Sequence, residues 1–178
     1  EITTRLVGSE MCIRDRNTSA ESTAKMSPAL QTIEKTLDGV TLKVYIENPK
    51  VKPGGEVHIT ATVTNNSGKD IVSTLPIYNR QHYEIRTKIL TQDGKAFYDK
   101  DYPIEVTEDA TRQFIVKSGE SYVQDMYLVA AEMNSGMSGT ADAVPYGAGK
   151  CAGTSTFKWD GGNGAEKSLT VSFEIEIA

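Results

Sequence analysis

The sequence predicts an all-β fold, an immunoglobulin-like antiparallel β-sandwich of about eight strands. Three observations carry that expectation. Apolar and polar residues alternate with a period of two from Val40 onward, the spacing of half-buried strands. Turn-forming clusters of Gly, Pro, Asn and Asp recur between the alternating runs. No helical crossover pattern separates the runs, and most strands keep one polar face, which implies antiparallel sheets with a solvated side.

The elements follow in order. Leu42, Val44 and Ile46 alternate with Thr41, Lys43, Tyr45 and Glu47, and Pro53-Gly54-Gly55 makes a turn. Val57, Ile59, Ala61 and Val63 then alternate with His58, Thr60, Thr62 and Thr64, before Asn65-Asn66-Ser67-Gly68 closes the strand. Ile71 to Tyr78 is interrupted by Pro76, which cannot donate to a ladder, so an edge position is expected. Tyr83, Ile85 and Ile89 lead into Asp93-Gly94, a hairpin signal, and Ala96-Phe97-Tyr98 follows. Phe114 to Lys117 and Tyr122 to Val129 flank Ser118-Gly119-Glu120, and Thr154 to Trp159 precedes Asp160-Gly161-Gly162-Asn163-Gly164. Leu169, Val171, Phe173, Ile175 and Ile177 alternate to the last residue. Period two then fixes the faces. Val44, Ile59, Val63, Ile85, Val171, Phe173 and Ile175 point inward, while Thr60, Thr62, Thr170, Ser172 and Glu174 face solvent. Glu132 to Gly153, rich in Gly, Ala and Ser, reads as one long loop, functional or disordered. Its excision between 134 and 149 should leave the core untouched.

The N-terminal residues stand apart. Leu6 to Arg16 (Leu-Val-Gly-Ser-Glu-Met-Cys-Ile-Arg-Asp-Arg) back-translates over Val7–Asp15 to GTG GGC TCG GAG ATG TGT ATA AGA GAC. That resembles the transposase adapter of sequencing libraries, so 1–16 is read as an artefact outside any fold and the natural N-terminus as missing. Asn17 to Lys25 is small and polar, a tether with nothing to bury. A short helix is expected next within 17–38, with Ser27 as N-cap and Pro28 at its first position. Leu30, Ile33 and Leu37 would share its apolar face, and Asp38-Gly39 would end it. The sandwich is then expected over 39–178.

Composition narrows the function. The net charge is −5, and no basic run is present, which argues against nucleic acid or an anionic membrane surface as partner. No stretch approaches the roughly 20 apolar residues of a membrane span, so no transmembrane segment is expected. With Cys12 set aside, only Cys151 remains, so no intrachain disulfide forms. One Cys and two separated histidines, His58 and His82, fall short of a zinc set, and no metal or cofactor is expected.

No catalytic constellation emerges. His58 falls on the polar phase of its strand and His82 at a strand start, neither with a partner pattern. Cys151 stands beside Lys150, a cation able to lower a thiol pKa, but no base accompanies it. Asp99, Asp101, Glu105, Glu108 and Asp109 form an acidic stretch whose spacing matches no calcium loop. Asn65-Asn66-Ser67 fits a glycosylation pattern but also a turn. Gly-x-Ser-x-Gly, P-loop and dinucleotide fingerprints are missing, so the chain reads as no enzyme. Met137, Val144, Pro145 and Tyr146, apolar and aromatic among small residues, are the candidate partner contacts.

Over about residues 57–128 the chain resembles the BsuPI family, named for an intracellular proteinase inhibitor of bacilli. The likeness rests on Val63-Thr64-Asn65-Asn66-Ser67-Gly68-Lys69, on Gln81-His82-Tyr83-Glu84-Ile85, on Asp93-Gly94-Lys95-Ala96-Phe97-Tyr98 and on Ser118-Gly119-Glu120-Ser121-Tyr122. Tyr98-Asp99-Lys100 stands where the family usually carries a tryptophan. The resemblance implies the sandwich and, as an alternative function, inhibition by a loop entering a protease cleft as a strand. The leading expectation is a non-enzymatic, extracytoplasmic bacterial module, secreted or held by a lipid tether encoded upstream. It would bind a protein or cell-envelope polymer, or act as a spacer.

Overall fold

A computed structural model describes residues 31–78, 83–100, 107–134, 142–162 and 164–178. Among the described residues, thirteen strand segments run in chain order. They are β1 (Gln31–Leu37), β2 (Val40–Ile46), β3 (Lys50–Val51), β4 (Glu56–Asn65), β5 (Ile71–Tyr78), β6 (Ile85–Leu90) and β7 (Tyr98–Asp99). Then come β8 (Thr107–Val116), β9 (Ser121–Val129), β10 (Ala131–Asn134), β11 (Asp142–Pro145), β12 (Gly149–Asp160) and β13 (Glu166–Ile177).

One sheet has the order β1-β2-β4-β9-β7 and the other β3-β13-β12-β6, with β5-β8 and β10-β11 as separate pairs. All pairings are antiparallel except β3 with β13. The succession β2-β4-β9-β7 against β6-β12-β13 is the A-B-E-D and C-F-G arrangement of an immunoglobulin-like sandwich. The expected all-β fold is thus observed.

The alternation explains the core. On β4 every second residue is buried, and on β13 Leu169, Val171, Phe173, Ile175 and Ile177 are each at most 5% exposed. Together with Val44, Ile59, Val63 and Ile85, all fully buried, they form one hydrophobic cluster spanning both sheets. Thr170, Ser172 and Glu174 are exposed, whereas Thr60 and Thr62, on a strand flanked by β2 and β9, are half-buried. Pro76 falls at an irregularity of β5, which pairs only with β8 among the described strands, as an edge strand would.

Two expectations need correction. The helix leading to Asp38-Gly39 is not formed where the structure describes it: residues 31–37 are strand β1, paired with β2 from Gln31↔Ile46 to Leu37↔Val40. Asp38 and Gly39 both take positive φ (51° and 78°), the two central positions of a type I′ hairpin. The dipeptide closes a hairpin instead of stopping a helix, and Gln31–Leu37 belongs to the sheet. The expected strands recur as β2, β4, β5, β6, β7, β8, β9, β12 and β13, and beside them the described residues form β1 and the short segments β3, β10 and β11. Secondly, the 132–153 loop contains most of β10, all of β11 and the first residues of β12, Cys151 among them. Residues 1–30, His82 and Met137 lie outside the described residues.

The Asp93-Gly94 turn forms as expected, with Gly94 at φ 83°. The bond from Thr91 N to Lys95 O, the bridge Leu90↔Ala96 and the bond from Phe97 N to Ile89 O extend it, however, without a full ladder. The chain then leaves for the opposite sheet, where Tyr98 and Asp99 pair with β9.

Candidate functional site

The cleft of interest lies at one end of the sandwich, between the turn after β6 and the excursion joining β9 to β12. Ala130 anchors that excursion. Its carbonyl accepts from Gly54 N (3.1 Å) and Tyr146 N (3.0 Å), and its own N–H donates to Gly55 O (2.9 Å). From this stem β10 and β11 rise as a hairpin, with Glu132↔Val144 and Asn134↔Asp142 in register. Tyr146 turns inward at its base. The ring is 8% exposed and packs against Phe97 at 5.9 Å, and its hydroxyl donates to Ala96 O at 2.6 Å. Immunoglobulin-like domains often carry a tyrosine near the start of this same strand whose hydroxyl ties the corner to backbone. Tyr146 does so across to the β6–β7 connection.

The cleft encloses about 400 Å³ and is lined by Thr91, Asp93, Lys95, Glu132, the 144–150 stretch and Cys151. Lys95 Nζ lies 2.9 Å from Glu132 Oε2, and this bond holds the ammonium pKa above its ordinary value. Thr91 donates its hydroxyl to Asp93 at 2.5 Å, which keeps the carboxylate below its ordinary pKa and charged. Val144 is 48% exposed on the rim, and Pro145 and Gly147 are exposed beside it. The sequence candidates Val144, Pro145 and Tyr146 are therefore brought together, with Tyr146 as a buried support. Excising 134–149 would remove that support, so the loop is not separable from the core.

Cys151 lies at the floor of the cleft, 3% exposed. Burial, and after it the Asp93 carboxylate, push its thiol pKa up. Lys150 does not offset this, because strand alternation sends it to the opposite face, where its Nζ lies 3.5 Å from Glu174. A thiol so placed is a poor nucleophile.

Two other polar groupings were beyond sequence reasoning. On the outer face of the first sheet, His58 Nδ1 lies 2.8 Å from Glu47 Oε2 and Nε2 lies 3.4 Å from Asp125 Oδ1. Its ring stacks on Tyr127 at 4.5 Å. The two carboxylates sit at opposite ring nitrogens and cannot converge on one ion; among the described residues no His, Cys, Asp and Glu grouping could hold a metal. Inside, Glu84 is 6% exposed and pairs with Arg112, while Tyr122 donates to it at 2.6 Å. Gln124 Oε1 accepts from the N–H groups of Glu84 and Ile85, each at 3.1 Å. Burial, then Glu84, raise the Tyr122 phenol well above its ordinary pKa.

The acidic stretch is described only in part: Asp99 accepts from the Tyr83 hydroxyl at 2.5 Å, and 101–106 lie outside the described residues. Asn65 behaves as a turn residue. It is fully buried, its Nδ2 donates to Lys69 O and Val116 O (2.8 Å each), and its Oδ1 accepts from Ser67. With both amide protons occupied, it is shut to glycosylation in the folded chain. Compared with known proteins, the chain matches no family model and no curated sequence.

Proposed function

We propose that this chain is a non-enzymatic, exported bacterial binding module that engages an envelope partner through the cleft beside β10 and β11. The observation that carries the reading is the cleft itself, which joins an exposed apolar rim, Val144 and Pro145, to charged groups on a facing turn. Rigid support from Tyr146 and Ala130 fits a contact surface, since recognition residues work best when their backbone is already held. The raised thiol of Cys151 and the opposed carboxylates at His58 argue against nucleophilic or metal chemistry there. Export is supported by the polar 17–25 segment and by the scarcity of cysteine.

The reading is tested with the full chain as bait for envelope extracts, beside Val144→Asp. A saturable partner lost in the variant, and kept by His58→Ala on the outer face of the first sheet, supports the cleft. Equal capture by all three chains moves the contact elsewhere. Inhibition in a protease panel would favour the inhibitor function that the BsuPI resemblance implies. Recovery of the uninterrupted gene tests export, and a start codon without a signal sequence upstream refutes it.

A further inference from the structure

Resting on that cleft, we infer the chemistry of its ligand: an extended peptide segment that pairs with the free edge of β11 and places a lysine or arginine between Asp93 and Glu132. Two independent features lead there.

The first is the edge. Tyr146 N donates to Ala130 O, so 130 and 146 form a hydrogen-bonded pair of the hairpin. Antiparallel pairs alternate, so Glu132 and Val144 form the next bonded pair, and Val144 spends its backbone groups on β10. Ala143 and Pro145 must then turn theirs the other way. Among the described residues no strand pairs with that side of β11. The edge offers one N–H and two carbonyls, because Pro145 has no donor. Such an edge is a template for a strand added from another chain.

The second is charge. Two carboxylates, Asp93 and Glu132, line the cleft against one cation, Lys95, since the Lys150 ammonium is drawn to Glu174 on the far face. Asp93 is held ionised by Thr91 and has a hydroxyl, not a cation, as its hydrogen-bonding partner. The excess is one negative charge. A volume of about 400 Å³ is near the lower end for ligand sites, enough for one long side chain and its flanking backbone.

The test is fluorescence anisotropy of the full chain with two labelled, capped nonapeptides of alternating Thr and Val, one with central Lys and one with central Glu. The Lys peptide should bind about tenfold more tightly, and added salt should narrow the difference. Asp93→Asn and Glu132→Gln should each weaken it severalfold. Lys95→Met should tighten it, a gain that a misfolded variant could not give. Equal binding of the two peptides, or weaker binding by Lys95→Met, overturns the basic side chain. Binding of neither peptide at millimolar concentration overturns the extended-peptide ligand. In each of these cases a partner still lost with Val144→Asp would leave the proposed function standing.

Discussion

Strands β12–β13 and β10–β11 are both antiparallel hairpins, and they hold their places by different means. The first runs through twelve paired positions, Gly149↔Ile177 to Asp160↔Glu166, with one face buried along nearly its whole length. The second has four paired positions and takes its placement from outside, through Ala130 and Tyr146. A long ladder is fixed by its own pattern. A short one is fixed by its stem, so its outer residues are left over for contact.

That contrast predicts a graded response to substitution. The largest effect belongs to the long ladder: Phe173→Ala should cost on the order of 3–5 kcal/mol in chemical denaturation. Its cross-strand partner Gly153 sits under the ring, and a Cβ there would lie 2.0 Å from Phe173 Cε2. Gly153→Ala should therefore cost about 1–3 kcal/mol by overpacking, and Phe173→Leu should relieve part of that cost. Purely additive losses in the double variant would break the packing account.

Next comes the polar cluster outside both hairpins. Glu84→Gln strips Arg112 of its charge partner and should cost about 3 kcal/mol, because the pair is largely removed from water. Tyr122 adds a pH signature. Its pKa is raised on folding, so its stabilisation is complete below the ordinary tyrosine value of 10.0 and is lost as pH climbs beyond it. Stability of the parent should fall above about pH 10 more steeply than that of Tyr122→Phe. Identical alkaline slopes would remove Tyr122 from the cluster's energetics.

At the stem of the short hairpin, Tyr146→Phe loses one hydrogen bond and should cost about 1 kcal/mol, seen as a lowered thermal midpoint. The smallest effect is Val144→Asp at the rim, within about 0.5 kcal/mol of the parent. A large loss there would mean that β11 is packed as tightly as β12, and the contrast would collapse.

The same contrast separates what sequence makes legible from what it hides. Leu169 through Ile177 alternate without fault, so β13 and its inner face were readable residue by residue. β1 was not, because the residues it sets opposite the buried Ile46, Val44, Leu42 and Val40 are Gln31, Ile33, Lys35 and Leu37, the last two exposed. Two polar residues there break the period of two, and an edge strand tolerates that. The surviving Ile33 and Leu37 then mimic helical spacing. β10 and β11 carry too few apolar residues to show a period, and bonds to Gly54, Gly55 and Ala96 that place them come from distant segments. Of the candidate site, Val144 and Pro145 were legible as apolar residues among small ones. Asp93, Lys95 and Glu132 were not, because only the fold brings the β6–β7 turn beside the hairpin.

The stem at Ala130 and Tyr146 has a consequence for length. β10 begins directly after Ala130 and β11 ends directly before Tyr146, and those two residues form a hydrogen-bonded pair. The entropy of closing such an excursion grows only with the logarithm of its length, roughly 0.6 kcal/mol for each doubling. Insertions between 134 and 142 should therefore be carried with little strain on either sheet. The domain is built as a socket in which the tip can be exchanged while the frame stays fixed, a natural place to graft a foreign binding loop.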